Sequence, residues 1–209
     1  MAALWDKGPE RKNATASAFH LLLPFAVLAA HLIALFLILP PQQFALVLGL
    51  MTAYILPPAG KETVIPVGIA LGIPWWLMAA AIALIDIETG LFMAYNFDLA
   101  YRIPVFGPWL FLFNEKGRSF IESHRWIQDL YFFGIVILVM VPFFGSGGIR
   151  GSVLGRLLGM ERRMVFSAIV VGAVAGCLLI AFFSEVFILS LCTNGVVPAG
   201  IDAIVCNRT

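Results

Sequence analysis

Charge is what this sequence lacks most. No Asp, Glu, Lys or Arg occurs between Asn13 and Gly60, and further uncharged stretches run from Thr63 to Ile85, Leu130 to Ile149 and Met164 to Ser184. Charged residues make up 12% of the chain and hydrophobic ones 61%, against about 25% charged in an ordinary soluble domain. A water-soluble fold built from these stretches would have almost no polar face, so the chain reads as an all-α polytopic membrane protein. A net charge of +1 supplies no basic surface for nucleic acid. Histidine and cysteine are scarce, at three each, and their spacing matches no metal site. His20 and His31 read as interfacial or hydrogen-bonded histidines and Cys177 as a small packing residue. Cys192 and Cys206 bracket the C-terminal tail, where a disulfide forms only if that tail faces an oxidising compartment. There is no Ser–His–Asp set, no pair of catalytic carboxylates and no cofactor loop, so neither an enzyme nor a cofactor is expected.

Two of the apolar runs are too short to cross a bilayer, and each ends in proline and glycine followed by a charge. Phe44 to Ile55 leads into Leu56-Pro57-Pro58-Ala59-Gly60-Lys61-Glu62, and Phe132 to Val141 leads into Pro142-Phe143-Phe144-Gly145-Ser146-Gly147-Gly148-Ile149-Arg150. A helix of about 12 residues rises only ~18 Å, whereas the hydrocarbon core is ~30 Å thick. Such arms are expected to enter, break and turn back, which is tolerated where the broken backbone is buried in protein or lines a wet cavity. The organisation expected is one membrane domain over 1–209. It has a first spanning helix at 18–39, a repeat with a re-entrant hairpin at 44–97 and an interfacial loop or surface helix at 98–130. A second such repeat occupies 131–192 and a tail 193–209. Pro40-Pro41 stops the first helix, Pro74 starts the helix that runs to about Asn96, and Pro66 starts the first return arm.

Charge counting orients this scheme. With the N-terminus inside and each hairpin returning to its side of entry, Lys7, Arg11, Lys12, Arg102, Lys116, Arg118, Arg125, Arg156, Arg162 and Arg163 fall inside. Only Arg208 falls outside, and Lys61 and Arg150 lie within the hairpins. That segregation is the positive-inside pattern, and it makes the two hairpins enter from opposite faces as an inverted-topology repeat. The expected location is the cell membrane, multi-pass, with the C-terminus outside.

The segment Pro142 to Gly148, followed by glycine-spaced residues ending Leu158-Gly159-Met160, resembles the small multidrug export family. So do Glu115-Lys116-Gly117-Arg118, Ile65 to Ala70 and Pro104 to Pro108. The resemblance covers roughly Pro57 to Gly176 and extends distantly to the DedA membrane proteins. It implies two opposed re-entrant hairpins and ion-coupled movement of polyprenyl-phosphate or other anionic lipids. Ile149 and Arg150 stand where an aromatic and a small polar residue are expected, and Glu62 lies closer to Pro66 than the family's acidic position.

Within that scheme the candidate substrate-binding residues are Arg150, Gly145, Ser146, Gly147, Gly148 and Glu62. Arginine's planar fork suits a phosphate, and a glycine-rich turn before a helix N-terminus offers N–H groups to an anion. Asp86, Glu62 and Glu88 are the candidate ion-coupling residues, because a carboxylate in an apolar helix can carry a proton. Asp86 and Glu88 point roughly 200° apart, so at most one faces a given cavity. Asp86→Asn is expected to leave the fold intact, since it keeps the shape and removes a buried charge. Glycines at four-residue spacing, such as Gly151/Gly155 and Gly172/Gly176, read as helix contacts. The leading function is a transporter or flippase of an anionic, polyprenyl-phosphate-type substrate. An exporter of lipophilic cations and a non-transporting scaffold are the alternatives. The expected partners are membrane lipid and a small anionic or lipid-linked substrate, with a homodimer left open.

Overall fold

The computed structural model describes residues 14–56, 59–97, 125–141, 147–158, 160–194 and 206. Among these residues every regular element is a helix: α1 (Ala14–Ile38), α2 (Pro41–Ile55), α3 (Lys61–Ala70), α4 (Trp75–Asn96), α5 (Arg125–Met140), α6 (Gly147–Leu157) and α7 (Arg162–Thr193). The interfacial loop or surface helix expected at 98–130 falls mostly outside the described residues. Three helices, α1, α4 and α7, are long and apolar enough to cross a membrane, and the chain is a multi-pass membrane protein. At 1.5 Å per residue the four others rise only about 15–24 Å.

Proline and glycine set the boundaries. Pro40 adopts an extended conformation as the cap of α2 and Pro41 occupies its first turn, where a missing N–H costs nothing. Pro66 does not begin the return arm as expected but sits inside α3, which starts at Lys61. Gly60 caps that start, its N–H donating to Thr63 Oγ1 at 3.2 Å, so the helix gains a turn upstream of the proline. Gly72 ends α3 with φ of 112°, and the Ile73 N–H reaches back to the Gly68 carbonyl at 3.0 Å. That is a Schellman closure, which needs a residue free to adopt the left-handed conformation.

The centre of the fold is α4 against α7, with α1, α2, α3 and α6 on α4 and α3, α5 and α6 on α7. Val47, Met51, Tyr54, Ile65, Met78, Ile82, Val139, Ile169 and Cys177 fill the core. Small residues let the backbones approach. A Cβ on Gly172 would stand 2.7 Å from the Val136 carbonyl, and one on Gly176 would stand 2.8 Å from the Met140 carbonyl. These α7 glycines therefore admit α5 at backbone distance. Outward-facing apolar side chains such as Phe36, Leu37, Phe183 and Phe187 remain 62–76% exposed, as a lipid-facing surface requires.

Candidate functional site

Asp86 lies in the middle of α4, eleven residues after Trp75 and ten before Asn96, about 16 Å from either end of the helix. Its carboxylate is fully buried. The Tyr54 hydroxyl donates to Oδ1 at 2.7 Å and the Gly148 N–H donates to the same oxygen at 3.1 Å. Lys61 Nζ donates to Oδ2 at 3.2 Å, with both side chains at 0% exposure. Lys61 also donates to the Val139 carbonyl at 2.6 Å, and the Gly147 N–H donates to the Tyr54 hydroxyl at 3.3 Å. The Cys177 thiol of α7 lies within electrostatic range of Asp86 and Lys61.

This geometry follows from where helices stop. A helix leaves its last four carbonyls and first four N–H groups without intrahelical partners, with negative and positive partial charge respectively. Val139 is next to last in α5, and Gly147 and Gly148 begin α6. The carbonyl end of α5 takes the Lys61 cation; the N–H end of α6 takes the Asp86 anion and the tyrosine oxygen. Tyr54 and Lys61 flank the other break, at the end of α2 and the start of α3. Both helix breaks thus close on one carboxylate. The pair is dry, and a dry ion pair survives only when hydrogen bonds satisfy its remaining atoms.

Gly148 is where this closure permits no side chain, because a Cβ there would overlap the Asp86 carbonyl oxygen and press on Thr89 Oγ1. Ser152, one turn further, donates to the Gly90 carbonyl at 3.1 Å and holds the same faces of α6 and α4 together.

Glu88 leaves the other side of α4. His31 of α1 contacts its Oε1 through Nδ1 at 2.9 Å, and both residues are buried. In the tautomer with hydrogen on Nδ1, the imidazole donates. Glu88 also lines a cavity of about 520 Å³ whose wall includes Phe25, Leu28, Met51, Ile55, Phe92 and Ile149.

The remaining sequence candidates are placed as follows. Glu62 is half-buried in the first turn of α3, its carboxylate folded back against Gly60. Arg150 is half-buried in the first turn of α6. Neither lines the Glu88 cavity. Gly145 and Ser146 lie outside the described residues. Gly147 and Gly148, expected to offer N–H groups to a substrate anion, direct them at Tyr54 and Asp86. The Asp86→Asn expectation is corrected here: with Lys61 bonded to Asp86 in a dry site, the single change would strand a buried cation. Sequence reasoning gave no role to Lys61 or Tyr54; His31, read as interfacial or hydrogen-bonded, is hydrogen-bonded to Glu88. Cys192 and Cys206 form a disulfide, with their Cα atoms 5.6 Å apart. No group of three or more His, Cys, Asp or Glu able to hold a metal occurs among the described residues.

The family model described as "Putative small multi-drug export protein" matches residues 61–179, more than half of the 209 residues. The match takes in Lys61, Asp86, Glu88, Val139, Gly147, Gly148 and Cys177, while Tyr54 and His31 precede it. No curated protein and no solved structure matches the chain.

Proposed function

The chain belongs to the small multi-drug export family, and from that premise we propose an ion-coupled exporter, without catalytic activity, in which Asp86 binds and releases the coupling ion. The observation that carries this reading is one mid-membrane carboxylate bonded at once by Tyr54, Lys61 and the first turn of α6. Neutralising Asp86 removes the charge that holds Lys61 and the α6 N–H end in place. The two breaks then lose their common anchor, and α2–α3 can move against α5–α6. The protonation state of one residue would in this way select between two packings. Tyr54 positions the carboxylate without carrying charge.

The flippase reading would use the glycine-rich start of α6 to hold a phosphate. Its Gly147 and Gly148 N–H groups are given to Tyr54 and Asp86, so an anionic head would have to displace the carboxylate, leaving Arg150 as its main contact. The N–H pattern therefore favours the coupling role for this turn. A non-transporting scaffold would share the dry centre but carry no solute.

The test is solute flux in proteoliposomes under an imposed pH gradient, with ethidium and a fluorescent short-chain polyprenyl phosphate assayed separately. Wild-type protein is expected to move one of them in a gradient-dependent way. Tyr54→Phe removes the hydrogen bond to Asp86 and the acceptor of the Gly147 N–H and leaves the charges balanced, at a cost of about 1–3 kcal/mol. It is expected to stay folded with a displaced pH profile. Wild-type flux of neither solute, or a profile unchanged in Tyr54→Phe, would refute the coupling role.

The same reading includes the hairpin arrangement implied by the resemblance to DedA proteins, with α2–α3 entering from outside and α5–α6 from inside the cell membrane. The ten-to-one distribution of basic residues supports it. So does the disulfide at the end of α7, because disulfides persist in oxidising compartments. Single cysteines at Gln42 and Pro74 are expected to label from outside, and those at Ser123 and Glu161 from inside. Labelling of Gln42 and Pro74 from opposite faces would remove the first hairpin.

A further inference from the structure

We propose that Lys61 is a tethered cation filling a monovalent-cation site formed by Asp86 and the carbonyl end of α5, and that its presence excludes sodium and potassium from the centre. The inference deepens the exporter reading by narrowing the ion that Asp86 can exchange. It rests on that reading for the use of the site, but occupancy is measured by stability alone.

The first observation is what the amine meets. Nζ lies 3.2 Å from Asp86 Oδ2 and 2.6 Å from the Val139 carbonyl oxygen, and carboxylate and carbonyl oxygens are the atoms that hold a hard cation. The amine sits nearer the carbonyl than the carboxylate, so it is seated in the helix end as well as paired with Asp86. A helix C-terminal end carries negative partial charge and, at membrane depth, is a place where small cations are coordinated.

The second is that lysine suits neither the helix nor the depth at which it starts. Lys61 is the first residue of α3, where the partial charge of the helix is positive and a basic side chain is disfavoured. Glu62 beside it has the favoured sign. A fully buried lysine at this position is offset only by what its far end meets in α4 and α5.

The third is charge. Both side chains are at 0% exposure. Nζ keeps its place whether the proton shared with Asp86 sits on nitrogen or on oxygen, and in either case the pair has no net charge. A metal ion added to the pair would bring an unbalanced charge into a dry site. It could enter only by expelling the lysine, whose backbone is fixed at the capped start of α3.

Lys61→Ala keeps Cβ and vacates the space of three carbons and the nitrogen, which is the size and shape of n-propylammonium. Thermal unfolding of the purified full chain in detergent, at constant ionic strength made up with N-methylglucamine chloride, tests the site. Lys61→Ala is expected to lose stability and to regain at least about half of the lost Tm as n-propylammonium is raised, as a ligand of the folded state does by mass action. Propan-1-ol lacks the charge and tetrapropylammonium is too bulky, so neither should restore it. Lys61→Met fills the space with its own side chain and should not respond. Wild type should keep the same Tm, within about 1 °C, in sodium, potassium and N-methylglucamine chlorides. If Lys61→Ala yields no folded protein with or without the amine, the wild-type salts decide.

Lys61→Ala indifferent to n-propylammonium, or answering equally to propan-1-ol, would overturn the proposal. So would wild type stabilised selectively by sodium or potassium, or wild-type flux driven by a sodium gradient without a pH gradient. Recovery by the amine with no gradient-driven flux in wild type would leave the site standing and sink the exporter reading. Wild-type flux under a pH gradient with Lys61→Ala indifferent to the amine would do the reverse.

Discussion

Lys61→Met is expected to destabilise the protein by about 3–5 kcal/mol, the cost of stranding one member of a buried ion pair. The methionine fills much of the lysine's volume, so the loss is electrostatic rather than a cavity. Asp86 would keep its bonds from Tyr54 and Gly148 but carry an unbalanced charge, and the Val139 carbonyl would lose its 2.6 Å donor. The measurement is thermal unfolding in detergent, followed by tryptophan fluorescence. The control is Glu161→Gln, at the exposed start of α7, expected within about 0.5 kcal/mol of wild type. A Lys61→Met protein as stable as that control would show that the pair is not buried as described.

Gly148→Ala should be nearly as damaging, for a steric reason. The added carbon would fall on the Asp86 carbonyl oxygen, which is backbone and cannot rotate aside. The start of α6 would have to withdraw from α4, straining the Gly148 bond to Asp86 and the Ser152 bond to Gly90. Overpacking and a lost hydrogen bond to a charged group together give about 3 kcal/mol or more. Gly49→Ala and Gly134→Ala make the internal comparison. Both glycines lie inside helices, and a Cβ at either meets nothing within 4 Å. There alanine should be neutral or stabilise by up to about 1 kcal/mol. Equal effects at all three positions would mean that Gly148 is not at the contact.

Much of the helix order was legible because the bilayer imposes it. Long uncharged runs must be helical, prolines must fall near their ends, and Asp86 stands out in the middle of an apolar helix. The opposed directions of Asp86 and Glu88 followed from helical geometry alone, and the structure sends one to Lys61 and the other to His31. Other aspects were not legible. The start of α3 depends on Gly60 and Thr63 rather than on Pro66, which hid the first turn and with it Lys61. Of two adjacent charges, sequence favoured Glu62, because nothing local says which one points inward. One residue is 100° of rotation on a helix, and only the packing of α3 on α4 and α7 decides it. Tyr54 was missed for a similar reason: a lone tyrosine in an apolar helix gives no sign of the oxygen it will meet 32 residues away. The glycine-rich turn reads as a site for a substrate anion, and within it the Gly148 N–H donates to the Asp86 carboxylate. That the anion facing it belongs to the chain itself depends on the packing of α6 against α4, which no local pattern encodes.

The double variant Lys61→Met/Asp86→Leu, assayed for both stability and gradient-driven flux, separates a coupling centre from a brace. Replacing a buried pair with apolar groups of similar volume removes the stranded charge, so stability should recover most of what Lys61→Met alone loses. Flux should remain abolished, because no group is left at that depth to exchange an ion and bind both helix breaks. Recovery of stability together with gradient-driven flux would show that the pair only holds the fold together, and would contradict Asp86 as the coupling residue.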